Sequence, residues 1–456
     1  MKKLFKVLFL GLMAISMVGC NNKSNDTKPS DGDADDDNTV NEVVVPDIKV
    51  DISTDTKSII TNKEYTLTAT YDDKYFKADD KVFNKDLATL SLVASCATAS
   101  KERINKLYQD ISYESVFLSE SYNEEPTTNS IAFSFANRGK VVSIAIRGFE
   151  YKKEWANNFK IGLEGNHLGF EESAQKVYTE LKTYLADHKL NNSKIWLTGY
   201  SRGGAVANLL SSMILEDHDI SLDAFYGYTF EAPKGVLKEN AKDYKNLFNL
   251  VNSADPVQYL ALEEFNFARN GVDIEIFNPE VATLLSSFNE ELKIDAFISM
   301  KDYAETPDQL PQAIINDILK FAGDGNIPSS KDRKEFLDNY SEQIGYIVSL
   351  IFMLSDEVLE NIKNDVSKMT LLQLMNLLNA DGLYDFITPY LTDAKVAYVG
   401  AILYSSIQSM LNFVKGPALN IVSKALDKDN QKDFVFMLYM HDPLSTYVLL
   451  QNYEVK

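Results

Sequence analysis

Hydrophobic residues recur with two different periods along the chain and divide it into successive kinds of segment. Between 43 and 71 apolar and polar residues alternate, which predicts β-strands. A helical spacing follows around 85–111, and from about 130 to 260 short apolar runs alternate with helical spacings. From about 278 to 430 the strand pattern fades and long helical periodicities replace it.

The segment from 130 to 260 predicts an α/β fold. Helices are expected at 171–188 and 204–215, because apolar residues there follow a helical spacing. Strands are expected at 131–136, 141–146, 194–198, 224–230 and 247–252. The first two strands form a hairpin or lie side by side, and the later strands alternate with helices. This alternation is typical of a mostly parallel sheet with helices on both faces.

The whole pattern predicts four folded parts. A short N-terminal β element spans 43–80, an α/β core 81–277, an inserted helical cap 278–430, and a C-terminal core segment 431–456. The uncharged stretch Val396–Val414 is long enough to span a membrane. It carries three Ser, one Gln and one Asn, so a buried cap helix is favoured over a membrane span, which remains the alternative.

The first 42 residues predict export and a lipid anchor. Three lysines precede an apolar stretch that is shorter than the roughly 17–25 residues of a spanning helix. Cys20 follows Met-Val-Gly, an arrangement that resembles a bacterial lipobox, in which the thiol is diacylated. We expect a lipoprotein signal peptide at 1–19 and an acidic, disordered tether at 20–42. The protein would then be anchored on the extracytoplasmic face of a bacterial membrane; an ordinary secretory signal is the alternative.

Charge and cysteine content exclude some functions. The formal net charge is −21, which disfavours strong nucleic-acid binding, because phosphate recognition needs a concentrated basic face. The chain has two cysteines, so lipidation of Cys20 would leave Cys96 without a disulfide partner. Cys96 lies in a run of small residues that predicts a buried helix face; a catalytic thiol is the weaker alternative.

The candidate nucleophile lies between a predicted strand and a predicted helix. Gly199-Tyr200-Ser201-Arg202-Gly203 fits the pattern G-x-S-x-G, in which a sharp turn exposes the serine Oγ. Gly199 and Gly203 would let the strand and the helix pass closely. A glycine-rich turn with an incidental serine is the alternative interpretation.

A serine hydroxyl needs a base, usually a histidine, that is held by an acid. Where a strand–turn–helix carries the serine, the acid and then the histidine follow it in the chain. Of the four histidines only His441 comes late enough, because His167, His188 and His218 lie near or before the serine. Asp255, after a predicted strand, is the favoured acid, and Glu231 is its rival.

Several segments together resemble the class 3 (fungal-type) lipase family of α/β-hydrolases and its bacterial lipoprotein relatives. They are VVSIAIRGFEYKKEWANNF (141–159), NHLGF (166–170), KIWLTGYSRGGAVANLL (194–210), YTFEAPKG (228–235), LVNSADPVQYL (250–260) and HDPLSTY (441–447). The resemblance implies an α/β-hydrolase fold with Ser201, Asp255 and His441 as the catalytic triad.

The same resemblance implies an oxyanion hole made of two backbone N–H groups, those of Phe149 and Arg202. The family usually has Ser or Thr at the position of Phe149 and His at that of Tyr200, so this chain departs from the pattern twice. A third departure is the separation of 186 positions between Asp255 and His441, where the predicted cap fits.

The expected function is hydrolysis of carboxylic esters, with a lipid or another hydrophobic ester as substrate, through an acyl-enzyme. The scheme implies no metal ion and no organic cofactor. Two alternatives remain. One is an acyltransferase or thioesterase with the same triad, and the other is a catalytically inactive surface protein that binds through the lipase fold, an idea that Phe149 supports.

Overall fold

A computed structural model describes the regions that surround the predicted nucleophile. These are residues 46–58, 64–122, 130–148, 154–259, 265–278 and 440–455, together with isolated positions between 331 and 390. The predicted signal peptide and tether, which include Cys20, lie outside the described residues. Most of the predicted cap also lies outside them, including the stretch 396–414. Among the described residues, no helix is both long and apolar enough to cross a bilayer.

The continuously described segments form eleven strands and five α-helices. The strands are β1 (Lys49–Lys57), β2 (Glu64–Asp72), β3 (Glu114–Leu118), β4 (Phe133–Arg138), β5 (Val141–Ile146), β6 (Ser193–Tyr200), β7 (Leu222–Phe230), β8 (Val236–Leu237), β9 (Leu247–Val251), β10 (Phe267–Ala268) and β11 (Val272–Glu275). The helices are α1 (Lys85–Ala97), α2 (Lys101–Asp110), α3 (Leu168–Asp187), α4 (Arg202–Leu215) and α5 (Pro443–Gln451).

Seven strands form the central sheet in the order β11-β9-β7-β6-β5-β4-β3. In this sheet β5, β6, β7, β9 and β11 run parallel to one another, whereas β4 is antiparallel to both β3 and β5. The predicted mostly parallel sheet is therefore confirmed, and of the two arrangements expected for the first two core strands the structure has the hairpin. Parallel order requires that the carboxyl ends of β6, β7 and β9 meet at one edge of the sheet, and the candidate site lies at this edge.

Helices cover both faces of the sheet. One face packs against α3 and α4, and the other packs against α1, α2, α5 and the hairpin of β1 and β2. Successive strand residues point to opposite faces. Ile195 and Leu197 of β6 accordingly belong to the first core, and Trp196 between them belongs to the second.

The N-terminal hairpin forms a separate two-stranded sheet in which β1 and β2 pair antiparallel. Burial alternates along β1, as the alternation of the sequence predicts. The single helical stretch expected at 85–111 is instead two helices, because Ser100 ends the run. Its side chain accepts a hydrogen bond from the Arg103 N–H and so begins α2. Cys96 is fully buried in α1, as expected.

Candidate active site

Ser201 occupies the single position between the end of β6 and the start of α4. Its backbone has φ 51° and ψ −124°, a region that residues with a Cβ rarely adopt. The Ser201 N–H donates to the Phe230 carbonyl oxygen at 2.7 Å, which fixes the turn to the end of β7. The sharp turn expected for a nucleophilic serine is thus present at this residue.

Both glycines that flank this turn have a steric reason to be glycine. A Cβ on Gly199 would lie 2.3 Å from the Gly203 carbonyl oxygen, and a Cβ on Gly203 would lie 2.4 Å from that of Ile146. Real Cβ atoms do not come so close to backbone oxygens. The strand, the helix and the end of β5 can therefore approach one another only because these side chains are absent.

Three side chains that are distant in sequence form one hydrogen-bonded relay. His441 Nε2 lies 2.8 Å from Ser201 Oγ, and His441 Nδ1 lies 2.7 Å from Asp255 Oδ2. Such distances permit direct proton transfer between the hydroxyl and the ring. Since the Asp255 carboxylate can only accept, Nδ1 carries the proton and Nε2 accepts from Ser201. Asp255 is fully buried, whereas 9% of Ser201 and 13% of the His441 side chain are exposed.

Local hydrogen bonds position the acid and the base. Asp255 follows β9, and its Oδ1 accepts from the Val257 N–H at 2.8 Å. His441 comes directly before Asp442, which caps the N-terminus of α5 by accepting from the Leu444 N–H. The two loops are joined by Asn252, whose side-chain amide donates to the Met440 carbonyl oxygen at 3.0 Å.

Tyr200 also fixes the segment that carries His441. Its hydroxyl donates to the His441 carbonyl oxygen at 3.1 Å and lies 3.0 Å from Thr446 Oγ1. Burial raises the pKa of Tyr200 well above its ordinary value, so the phenol stays protonated. The sequence showed Tyr200 only as a departure from a family pattern, and this contact gives the residue a specific role.

Glu231, the rival acid, is fully buried beside Asp255 and is not the residue that contacts His441. It is the first residue after β7, and its φ of 47° is unusual for a side-chain-bearing residue. Sequence analysis treated the two carboxyl groups as alternatives, whereas the structure places both in one cluster. Three further residues of this cluster were not predicted from the sequence, namely Asn252, Gln258 and Thr446. Their only sequence signal was their position inside the segments around Asp255 and His441.

Of the two predicted oxyanion donors, the N–H groups of Arg202 and Phe149, only Arg202 lies among the described residues. Arg202 is the first residue of α4, so its N–H lies at the positive end of the helix directly after Ser201. Phe149 lies outside the described residues, and the chain can be followed to Gly148. A Cβ on Gly148 would lie 1.5 Å from the Tyr200 carbonyl oxygen, so the end of this segment passes against the turn that carries Ser201.

The Arg202 side chain joins a buried ion cluster on the other side of the turn. Glu154 accepts from Arg147 Nη2 at 2.6 Å, and its second oxygen lies 3.8 Å from Arg202 Nη1. Arg202 Nη2 also donates to the Ser130 carbonyl oxygen at 2.8 Å. These contacts fix the start of α4, so any part that Arg202 plays at the nucleophile falls to its backbone N–H.

The other three histidines lie in structural positions. His167 is the N-cap of α3, and burial lowers its pKa to about 3. His188 is the C-cap of the same helix, and His218 is exposed in the turn after α4. The exclusion of these residues by chain order agrees with where they lie.

The central part of the chain is similar to a known protein family. The family model for lipase (class 3) matches residues 143–265, a segment that contains Ser201 and Asp255. Similar solved structures include a lipase from Rhizopus microsporus var. chinensis, with 15% identity, 42% of this chain and 75% of that chain covered and a TM-score of 0.32. Lipase II from Rhizopus niveus is 16% identical, with 44% of this chain and 78% of that chain covered and a TM-score of 0.31. The Rhizomucor miehei lipase propeptide complex is 20% identical, with 41% of this chain and 65% of that chain covered and a TM-score of 0.29. A search of curated protein sequences returned no match.

Proposed function

We propose that the protein is a serine hydrolase that cleaves carboxylic esters, a function that the match of residues 143–265 to the family model for lipase (class 3) supports. The observation that carries this proposal is the relay of Ser201, His441 and Asp255, with successive distances of 2.8 and 2.7 Å. His441 and Asp255 lie 186 positions apart in the chain, and Ser201 lies on a strained strand–helix turn. Chance is therefore a poor explanation for the hydrogen bonds that join these three side chains.

In the proposed acylation step, Ser201 Oγ attacks the ester carbonyl carbon while His441 Nε2 takes the hydroxyl proton. Asp255 accepts the Nδ1–H bond throughout and stabilises the imidazolium that forms. The backbone N–H groups of Arg202 and Phe149 are the proposed donors to the developing oxyanion. Collapse of the tetrahedral intermediate breaks the ester C–O bond, and the leaving alcohol receives the proton from His441.

In the proposed deacylation step, a water molecule attacks the acyl carbon of the Ser201 ester and gives its proton to His441. The second tetrahedral intermediate collapses, Ser201 Oγ recovers the proton, and the carboxylic acid leaves. Every proton in this sequence is exchanged between the substrate, water, Ser201 and His441, so the mechanism calls for no cofactor.

Lipids or other hydrophobic esters are the proposed substrate class, on the strength of the family of residues 143–265. The N-terminal pattern adds the proposal that the protein is exported and anchored by a lipidated Cys20 on the extracytoplasmic face of a bacterial membrane. Such an anchor would hold the site close to lipid substrates. Labelling with a radioactive fatty acid, in wild type and in Cys20→Ser, tests the anchor separately from the activity.

Hydrolysis of a graded series of p-nitrophenyl esters tests the proposed activity. Ser201→Ala should lower kcat/KM by about 10⁴-fold or more, since the nucleophile acts as a unit with its base. Ser221→Ala, at an exposed serine after α4, is the matched control and should keep wild-type activity. A fluorophosphonate probe should label wild type and Ser221→Ala but not Ser201→Ala.

Failure of wild type to react with probe and esters would refute the hydrolase and favour a binding protein on a lipase fold. Transfer to an added alcohol in preference to water would identify an acyltransferase, and preference for thioesters over oxygen esters would identify a thioesterase.

A further inference from the structure

Two carboxyl groups, those of Glu231 and Asp255, lie against each other at the end of the relay. Both residues are fully buried, and the two carboxyl groups lie close enough to interact directly, so that two negative charges there would repel each other without water between them. Ionised carboxylates only accept hydrogen bonds. A hydrogen bond between two carboxyl groups therefore requires that one of them carries a proton.

The surroundings indicate which of the two is protonated. Asp255 accepts from the His441 ring, which becomes a cation during the proposed reaction, so the negative charge is best placed there. Glu231 accepts from three neutral donors, namely the Asn252 N–H at 3.1 Å, the Gln258 side-chain amide at 2.9 Å and the Thr446 hydroxyl at 3.0 Å. Burial first, and then the charge of Asp255, raise the pKa of Glu231 well above its ordinary value.

A carboxylate has about four positions at which it can accept a hydrogen bond, and this number accounts for the contacts of Glu231. Three of those on Glu231 receive the donors named above, which leaves one position for the interaction with Asp255. The Gln258 amide has a fixed orientation, because its oxygen accepts from Arg269 at 3.0 Å and its nitrogen must then point to Glu231. Arg269 thus contacts the cluster through Gln258.

We propose that Glu231 is a positioning residue that stays protonated and donates its proton to Asp255 in a hydrogen bond, so that the two carboxyl groups together carry one negative charge. The proposal deepens the proposed function and rests on it where it concerns catalysis. Glu231 contacts the loop of Asp255 through Asn252 and Gln258, and it contacts α5, which follows His441, through Thr446. One neutral acid thereby fixes both loops of the relay relative to β7.

Protonation of Glu231 has a signature in stability that does not depend on activity. The titratable groups around this acid are Asp255, Tyr200 at the end of β6, and His441 and Asp442 before α5. In the unfolded chain Glu231 loses its proton near its ordinary pKa, whereas in the folded protein it keeps the proton to much higher pH. Its stabilising effect is therefore complete below the unfolded pKa and is lost progressively as the pH rises toward the folded pKa.

The test compares thermal unfolding of full-length wild type and Glu231→Gln between pH 5 and pH 8. The amide is a neutral isostere that still donates to Asp255, so it lacks this loss of stability at higher pH. The Tm of Glu231→Gln minus that of wild type should rise by about 5–10 °C over this range. Glu216→Gln is the matched control, since Glu216 is an exposed glutamate that accepts from a hydroxyl group, that of Tyr244, as Glu231 accepts from that of Thr446, and its Tm difference should stay constant. A constant difference for Glu231→Gln would mean that Glu231 is ionised and would overturn the proposal.

The pH profile of ester hydrolysis tests the positioning role. Glu231→Gln should keep kcat/KM within about threefold and leave the acid limb unchanged. Glu231→Leu removes the donor, which concentrates the charge on Asp255, so the acid limb should move up by about half a pH unit or more as His441 binds its proton more tightly. Its kcat should fall about tenfold with KM little changed. A purely structural role would lower the amount of folded enzyme without moving the limb, and that result would overturn the proposal.

The two kinds of measurement separate the two proposals. If no variant and no wild type hydrolyses any ester, the proposed function fails, while the unfolding comparison still decides the protonation of Glu231. If Glu231→Leu does not fold, the comparison of wild type with Glu231→Gln decides by itself.

Discussion

Replacing Tyr200 by phenylalanine removes the hydroxyl group that contacts the backbone of His441. That hydroxyl donates its proton at 3.1 Å to the His441 carbonyl oxygen, while Thr446, 3.0 Å away, donates its own proton to Glu231. A buried hydrogen bond contributes about 0.5–1.5 kcal/mol net, so the loss of the bond to His441 should cost about that much. For a folded unit of roughly 150–250 residues, this corresponds to a Tm about 1–6 °C lower.

The same change should impair catalysis more than substrate binding. The carbonyl of His441 is part of the backbone that sets the position of the ring, and a misplacement of about 1 Å can cost about 10²-fold in rate. A partial release of this backbone should therefore lower kcat about tenfold with little change in KM. Both constants are measured with a p-nitrophenyl ester of medium chain length.

Tyr178→Phe provides the matched control for this experiment. Tyr178 also donates its phenol proton to a side chain, that of Asp217, but it lies on α3 away from the relay. This variant should keep wild-type kcat. If Tyr200→Phe proves as active as Tyr178→Phe, with the same Tm, the conclusion that Tyr200 holds the histidine segment is wrong.

Three further changes have defined outcomes. Asp255→Asn should lower kcat about 10⁴-fold with a small change in Tm, because the amide stabilises the wrong imidazole tautomer; a loss below tenfold in ester hydrolysis would contradict the role of Asp255. Gly203→Ala places a Cβ 2.4 Å from the Ile146 carbonyl oxygen and should lower the yield of soluble, probe-labelled protein sharply, whereas Gly165→Ala, at φ +80° but with nothing within 4 Å of the added Cβ, should lower it much less. His167 has its pKa lowered to about 3 by burial, so its stabilising effect is present above its unfolded pKa of about 6.5 and is lost as the pH falls. His167→Asn keeps a capping side chain, and in urea titrations it should lose about 2 kcal/mol less than wild type between pH 7 and pH 5; equal losses would contradict the shift.

The α/β core could be predicted from sequence because buried parallel strands and amphipathic helices leave different periods of apolar residues. The strand that ends at Tyr200 and the helix that begins at Arg202 are examples, since small and apolar residues continue up to the turn on both sides. The break between α1 and α2 was missed, since the apolar spacing continues across it and only the cap formed by Ser100 ends the run. The order of strands in the sheet could not be predicted, because it depends on contacts between distant segments.

The relay residues were open to prediction to different degrees. Ser201 lies in a motif with its own local structure, and His441 could be reached by eliminating the other histidines. The choice between Asp255 and Glu231 depends on geometry, since both follow a strand that ends at the same edge of the sheet. The structure shows that Asp255 Oδ2 lies 2.7 Å from His441 and that Glu231 lies behind it. No local pattern of residues reports that the two carboxyl groups meet.

The position of His441 depends on parts of the chain that precede every strand of the central sheet. The helix that follows His441, α5, packs on α1. Lys85 at the start of α1 donates to the carbonyl oxygens of Gln451 and Tyr453 at the C-terminal end of α5. The hairpin contributes the Thr68 carbonyl oxygen, which accepts from the Tyr447 hydroxyl at 2.9 Å. Since Asp255 and the imidazole are separated by 186 positions, chain connectivity alone does little to bring them together. Docking of α5 on the N-terminal elements supplies that constraint, so these elements belong to the machinery that holds the relay.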